Sequence, residues 1–352
     1  MADKTLRIVQ VGVAPTGIGS AWLALIQEAA EWELAGVVDV VPAHRAYAVA
    51  RAGLGADRGF SSIDEAARSI DFDAVVVAAP SPLHADLCRQ ALRAGKHVIV
   101  EKPFAVDFEQ ARAVATLAEG RGLRVMVDQN YRYLPDMQAL RQAIQDEVAG
   151  RPTHVALTCN YNWPARTYQS GMSNTMLLEM AIHHFDALRF VLAGDARTVQ
   201  GQTWRPPWTQ YSGDTWVTCA FEFPREVRAL YSGSLEAPGV QDPWQGVWRI
   251  DCERGALHLA DLGRGYGLYL SRSPDTFDLI ETFGAPPEPG SGIPGTLREF
   301  AAALREGRRP QSDGRDNLRT LAMAFGVSRS STDGRIVDLE REFFADQGAT
   351  EL

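Results

Sequence analysis

Three titratable side chains, Glu179, His183 and Asp186, recur at i, i+4 and i+7 in the run Met176-Leu177-Leu178-Glu179-Met180-Ala181-Ile182-His183-His184-Phe185-Asp186. At about 100° per residue a helix places them on one face. A neighbouring stripe of Leu178, Ile182, Phe185, Arg189 and Leu192 is mostly apolar and suited to packing on a sheet. An imidazole titrates close to neutral pH and is matched to proton exchange with a hydroxyl. His183 is therefore the candidate general acid/base, and Glu179 and Asp186 orient it or bind substrate hydroxyls. Two plainer readings compete: a solvated helix with an ion pair to Arg189, and a metal site. The second is disfavoured because adjacent His183 and His184 diverge around the helix and no H-E-x-x-H or nearby Cys supports it. His184 reads as structural.

A second constellation lies near the start. Val11-Gly12-Val13-Ala14-Pro15-Thr16-Gly17-Ile18-Gly19 leads from an apolar run straight into a helical pattern. A glycine-rich turn between strand and helix offers backbone N–H groups and the positive helix end to a pyrophosphate. Read as G-x-G-x-x-G it runs Gly12, Ala14, Gly17, with Ala in the middle and Pro15 withholding an N–H; Thr16 and Ile18 complete the expected cradle. Alone, the turn is a weak signal, with a tight structural bend as the competing reading. Asp39 closes the next strand pattern at about the 20-residue spacing where a carboxylate binds the adenosine ribose hydroxyls. Such a carboxylate repels a 2′-phosphate, so NAD is favoured, with NADP as the alternative because Arg45 follows closely. Further on, His97-Val98-Ile99-Val100-Glu101-Lys102-Pro103 is a strand stopped by proline. Strand carboxyl ends form the ligand crevice of doubly wound sheets. Lys102 is placed there to hold a hydroxyl oxygen and stabilise the alkoxide that develops as hydride leaves; an exposed ion pair is the competing reading.

The elements that must position these residues follow from periodicity. Residues 6–13, 34–40, 74–79, 97–100 and 125–128 are continuous apolar runs, as strands buried on both faces are. Amphipathic stretches at 18–30, 43–52, 63–69, 83–94 and 108–120 separate them, which predicts β-α-β units and a doubly wound parallel sheet. After a helix at 135–148 come a strand at 153–160 and a long helix at 175–192. Residues 196–270 are β-like and punctuated by turns, hence a mainly antiparallel open sheet in an α+β domain. A Pro/Gly-rich loop at 284–294 and helices at 296–306 and 315–332 close the chain. The expected domains are 1–130, nucleotide-binding, and 131–352, substrate-binding and oligomerising, with the closing helices free to pack back on the first.

Composition narrows the function. The 352 residues are 45% hydrophobic and 22% charged, ordinary for two folded domains. A net charge of −9, with no basic run, argues against nucleic acid and anionic membranes as partners. No apolar run approaches a membrane span. The first residues lack the basic start and apolar stretch of a leader, and Cys88, Cys159, Cys219 and Cys252 show no metal or disulfide spacing, so a cytoplasmic protein with free thiols is expected. Only Lys4, Lys96 and Lys102 among 35 cationic residues are lysine, which singles out an amine kept inside a packed segment.

Several segments together resemble the Gfo/Idh/MocA family (glucose–fructose oxidoreductase, inositol dehydrogenase and rhizopine catabolism). They are Pro80-Ser81-Pro82-Leu83-His84, Ala94-Gly95-Lys96-His97-Val98 with Glu101-Lys102-Pro103, Asn130-Tyr131-Arg132-Tyr133-Leu134-Pro135, the Glu179…His183…Asp186 helix, and Gly314-Arg315-Asp316-Asn317-Leu318-Arg319. The resemblance spans essentially the full length. It implies a Rossmann domain joined to a domain whose open sheet forms homodimers or homotetramers. Lys102 matches the family's cofactor- and substrate-contacting lysine and His183 its catalytic histidine. Pro80, His84 and Glu101 match the nicotinamide-ribose site, with Ala79 beside them. Arg132, Glu179, Asp186 and Trp163 are the expected substrate contacts; most other tryptophans of the second domain read as core or interface. Glu179 stands where inositol dehydrogenase-like members carry Asp, Gly171-Met172-Ser173-Asn174-Thr175-Met176 replaces a Gly-rich stretch, and Ala14 and Pro15 alter the phosphate turn.

The expected activity is hydride transfer between NAD and the CH–OH/C=O carbon of a sugar, sugar derivative or cyclic polyol such as an inositol. The alternatives are a glycosidase or epimerase that oxidises its substrate transiently, and a dinucleotide-binding regulator without chemistry.

Overall fold

Short Val- and Ile-rich strands alternate with helices through the first third of the chain, and the computed structural model shows the parallel sheet they build. It describes residues 5–163, 167–274, 276–288 and 290–345; Lys4 and Pro289 lie outside them. The elements are β1 (Leu6–Val11), α1 (Ile18–Glu28), β2 (Trp32–Val38), α2 (Pro42–Ala52), β3 (Gly59–Phe60), α3 (Ile63–Ser69), β4 (Ala74–Val77), α4 (His84–Arg93), β5 (His97–Val100), α5 (Phe108–Gly120) and β6 (Val125–Val127). The strands are parallel in the order β3-β2-β1-β4-β5-β6, the doubly wound arrangement whose direction reverses between β1 and β4. All four residues of β4 are fully buried, so no alternation marks them. Asp107 caps α5 by accepting the Gln110 N–H (2.9 Å), and Ser62 caps α3.

The chain continues through α6 (Pro135–Gln145), β7 (Pro152–Asn160), a π turn (Leu177–Ala181), α7 (Ile182–Leu192), β8 (Thr198–Trp204), β9 (Trp216–Glu222), β10 (Arg228–Ser234), β11 (Val247–Cys252), β12 (Gly255–Asp261), β13 (Tyr266–Ser273) and β14 (Thr276–Gly284). Then come α8 (Ile293–Glu306), α9 (Gly314–Asp333), β15 (Val337–Asp338) and α10 (Leu339–Phe343). The second sheet has the order β14-β13-β12-β11-β7-β10-β9-β8-β15, antiparallel except where β7 pairs with β10. Its strands alternate. Val155, Leu157, Cys159, Val217, Cys219, Phe221, Ala229 and Tyr231 are buried, whereas Thr218 and Leu230 face outward. Phe185 of α7 meets Phe221 and Tyr231 edge-on, at centroid separations of 4.9 and 5.2 Å, which fixes the helix on the covered face.

Contacts divide the chain into Met1–Asn130 with Gly290–Leu318, and Tyr131–Pro289 with Arg319–Leu352. In the first unit α8 packs beside α1, where Trp32 stacks on Phe300 and donates to the Leu297 carbonyl (2.9 Å). No described helix is long and apolar enough to cross a membrane.

Candidate active site

The turn after β1 is shaped by close approach. Gly12 has φ 84°, and a Cβ there would lie 2.7 Å from both the Ala78 carbonyl oxygen and the Ala79 nitrogen; only glycine fits so near the end of β4. Gly17, at φ 76°, precedes the first turn of α1, and a Cβ on it would meet nothing within 4 Å. Its glycine serves the bend and leaves the space before the helix N-terminus open, where residues 15–18 are exposed. The motif spacing assigned no role to Gly19. Here it provides the tight helix-to-strand packing, since a Cβ would lie 2.8 Å from the Gly12 carbonyl oxygen. Fully buried Gln10 braces both glycines, its Nε2 donating to the carbonyls of Gly12 (3.1 Å) and Gly19 (2.7 Å).

Asp39 follows β2. Its carboxylate accepts the N–H groups of Val13 (3.0 Å) and Val41 (2.9 Å), with His44 Nδ1 at 3.4 Å. Arg45 donates to the Asp39 carbonyl oxygen (2.6 Å). Val40, 82% exposed, adds an apolar surface beside the carboxylate. An open helix N-terminus behind a glycine bend, an anion at the end of the second strand and a neighbouring apolar patch fit a dinucleotide.

At the ends of β4 and β5 the polar groups are tightly engaged. His84 is buried, with Nδ1 2.7 Å from the Pro103 carbonyl oxygen and Nε2 2.8 Å from that of Ala79. Burial lowers its pKa, against the two carbonyls. The expected pocket residue is thus geometrically a brace, joining the segment after β4 to the one after Lys102. Glu101 accepts the Trp22 indole N–H at Oε1 (2.7 Å) and the Lys102 N–H at Oε2 (3.1 Å). It also hydrogen-bonds Asp128, a residue the sequence reading did not single out. Asp128 Oδ1 accepts the Thr296 hydroxyl (2.6 Å). Burial first, and the Glu101 charge second, hold the Asp128 carboxyl well above the usual range; the Thr296 hydrogen bond and the Lys102 charge oppose them. The two carboxyls thus lie against each other next to half-buried Lys102, whose charge acts to lower the Asp128 pKa.

In the second unit, the helix expected over 175–192 contains the π turn, a widening common at functional sites. Glu179, His183 and Asp186 are all buried. Tyr131 lies face to face with His183, centroids 4.4 Å apart and planes within 10°. Its hydroxyl donates to the Trp244 carbonyl oxygen (3.0 Å), which His184 Nε2 also approaches at 2.8 Å. His184 Nδ1 lies 2.9 Å from the Tyr231 hydroxyl, and burial drops the His184 pKa to about 4, a neutral structural histidine. Trp163, Trp244 and Tyr161 form one aromatic group, with Trp244 centroids 5.5 and 4.1 Å from the other two.

Arg132 and Asp186 turn out to engage each other. Arg132 Nε and Nη2 donate to the two Asp186 oxygens at 2.6 and 2.7 Å, both residues buried. Thr320 adds a third hydrogen bond to Asp186 (2.8 Å), and Arg189 approaches it at 3.6 Å while bonding Thr320 and Asp195. Arg132 and Asp186, both expected as substrate contacts, form a buried clasp that holds the Tyr131–Arg132 segment against α7. The Arg189 ion pair weighed for a solvated helix lies in the interior instead.

Among the described residues no cluster of three or more His, Cys, Asp or Glu side chains could hold a metal ion. Comparison with known proteins matches residues 6–129 to the Gfo/Idh/MocA oxidoreductase family model, described as an NAD-binding Rossmann fold, and residues 137–258 to the Gfo/Idh/MocA C-terminal domain. Inositol 2-dehydrogenase of Rhizobium meliloti is 33% identical over 342 residues, covering 94% of this chain and 99% of that one. D-Apiose dehydrogenase of Paraburkholderia graminis is 28% identical over 78% of this chain and 74% of its own. An oxidoreductase from Agrobacterium radiobacter, crystallised with NAD+, L-tartaric acid and magnesium, shares the fold with a TM-score of 0.84 at 19% identity, covering 96% of this chain and 99% of that one.

Proposed function

The chain belongs to the Gfo/Idh/MocA oxidoreductase family, and from that premise we propose that it moves a hydride between NAD and the CH–OH/C=O carbon of a sugar, sugar derivative or cyclic polyol such as an inositol. The observation that carries the reading is Lys102, half-buried just past the end of β5 in a nucleotide-type sheet, its own N–H held by the buried Glu101 carboxylate. Hydroxyl-rich substrates are what the inositol and apiose dehydrogenases are named for.

The turn at residues 12–19 and the N-terminus of α1 hold the pyrophosphate, and Asp39 takes the ribose hydroxyls in preference to a 2′-phosphate. Ala79 and Pro80, at the end of β4, flank the nicotinamide ribose. Bound NAD supplies the hydride acceptor. Lys102 holds the substrate oxygen and stabilises the charge that develops on it. His183 exchanges the hydroxyl proton; its Nδ1 is buried, so Nε2 is the nitrogen for this task. Glu179, one turn earlier, binds a neighbouring hydroxyl, and the Trp163 group offers aromatic surface to the apolar face of a sugar ring. The enzyme works in the cytoplasm as a homodimer or homotetramer joined through the outer face of the nine-stranded sheet.

The test is formation of reduced nicotinamide by the purified protein across a panel of sugars and inositols with NAD or NADP. Lys102→Met and His183→Ala should each lower kcat/KM by at least about a hundredfold. The double variant should lose far less than the product of the two, because the groups serve one bond-breaking event. If no polyol reduces NAD while a nitrophenyl glycoside is cleaved, transient oxidation replaces this reading. Cofactor binding without turnover would replace it with a regulator.

A further inference from the structure

Proton exchange asks more of an imidazole than a suitable pKa: the nitrogen must point along the line of the hydroxyl bond, so its ring plane must be set before substrate arrives. A histidine side chain has two torsions, and the second is broad. His183 therefore needs an external surface to fix that plane. Resting on the reading of His183 as the acid/base, we propose that Tyr131 is a positioning residue for it, its ring held flat against the imidazole and anchored at the hydroxyl so that one ring orientation is kept.

Three observations carry this. First, the stack is near parallel, 10° at 4.4 Å, whereas surrounding aromatic pairs meet tilted or edge-on: Tyr131 with His184 at 61°, His184 with Tyr231 at 36°, Tyr161 with Trp244 at 34°, Trp163 with Trp244 at 89°. Ring pairs favour both offset-stacked and edge-to-face arrangements, but only the face-to-face contact covers a ring and fixes its plane. Second, Tyr131 cannot slide. Its hydroxyl is tied to the Trp244 carbonyl, the same oxygen that His184 Nε2 approaches, so the anchor for Tyr131 is fastened to the helix that carries His183. Third, the next residue, Arg132, is clasped by Asp186 three positions after His183. The ion pair and the stack are adjacent rungs between one short segment and one helix.

The Arg132–Asp186 clasp is buried on both sides. It removes the freedom of the segment from which Tyr131 projects.

The experiment uses the full chain with NAD and the best substrate of the polyol panel. Tyr131→Leu keeps apolar volume without a ring face, and Tyr131→Phe keeps the face without the anchor. A positioning role predicts that Tyr131→Leu lowers kcat by about ten- to a hundredfold with KM and NADH affinity changed by less than about threefold. Tyr131→Phe should recover most of the loss. Imidazole proton resonances of His183, assigned by their disappearance in His183→Gln, should lie upfield in the wild type and in Tyr131→Phe. They should move downfield in Tyr131→Leu as the ring current is lost. Thermal melting checks folding; if the Leu variant melts early, Tyr131→Met replaces it, and the wild-type resonance position reports on the stack independently. Wild-type kcat in a folded Leu or Met variant, or no upfield shift in the wild type, overturns the proposal while His183→Ala remains inactive. Full activity in His183→Ala instead overturns the underlying reading of the site.

Discussion

Asp128 follows β6, and burial first and the adjoining Glu101 charge second raise the pKa of its carboxyl. A carboxyl with a folded pKa above its unfolded value, near 3.9 for Asp, leaves the folded state holding more protons over the window between the two. Its contribution to stability is therefore present at low pH and lost as pH rises through that window toward the raised folded value. Asn at this position has no such proton to lose, yet its amide can donate to Glu101 and its carbonyl can accept from Thr296. Asp128→Asn should gain stability relative to the wild type as pH is raised from about 4 to neutrality, following the proton difference. Thermal midpoints measured across that range check it, and parallel curves for the two proteins would contradict it. This pair marks the limit of what residue types reveal. Glu101 and Lys102 stood out because a proline stops their strand, whereas Asp128 looked like the last residue of an apolar run. Likewise Arg132 and Asp186, 54 residues apart, each read as a plausible substrate ligand, because a sequence shows two charges and not that they have chosen each other.

Among the elements, the phosphate turn shows how a motif is read correctly in outline and misread in detail. The strand-turn-helix context located it, but the G-x-G-x-x-G spacing passed over Gly19, whose missing Cβ lets α1 sit against the Gly12 carbonyl. Gly19→Ala places a methyl 2.8 Å from a backbone oxygen that Gln10 also holds, so the overlap cannot be relieved by a side-chain swing. The cost should be about 1–3 kcal/mol, as for overpacking elsewhere, seen as a lowered melting midpoint, with NADH affinity reduced as the helix N-terminus moves. Gly17→Ala meets open space and costs only the backbone strain of φ 76°, ψ −153°, a region open essentially to glycine alone, about 1–3 kcal/mol. Equal losses of cofactor affinity in both variants would show that the packing argument is mistaken. Other elements were illegible for plain reasons. Strand β3 is two residues long, too short to carry a period, and β14 is exposed along most of its length, so it has no buried side to announce. The π turn leaves no trace because Glu179 and His183 share a face with or without it.

At the scale of the whole chain, strand-helix alternation and then turn-punctuated strands were enough to foretell one parallel and one mainly antiparallel sheet, since both patterns follow directly from which faces must be buried. The second sheet also leaves a question of its own, because helices cover one face and the other presents Leu230 at 46% exposure. Leu230 sits in a shallow groove with Ala156, Thr158, Thr218 and Ser232, and nearby Trp204 and Trp216 stack across β8 and β9 at 5.9 Å. A chain with net charge −9 gains solubility from self-repulsion, and Leu230 with the Trp204–Trp216 pair, set among Thr and Ser side chains, is where the expected association with a second copy is tested. A stable interface requires at least about 1,000 Å², and β10 lies centrally in the expected one, between β7 and β9. Leu230→Glu places a charge at the centre of that area without touching the buried side of β10. Light scattering after size exclusion should find the wild type as a dimer or tetramer and the variant dissociating at concentrations at least about tenfold higher, with the melting profile of the dissociated chain still cooperative. A monomeric wild type, or a variant whose assembly is unchanged, would remove the sheet face as the site of association and leave Leu230 a solitary exposed leucine.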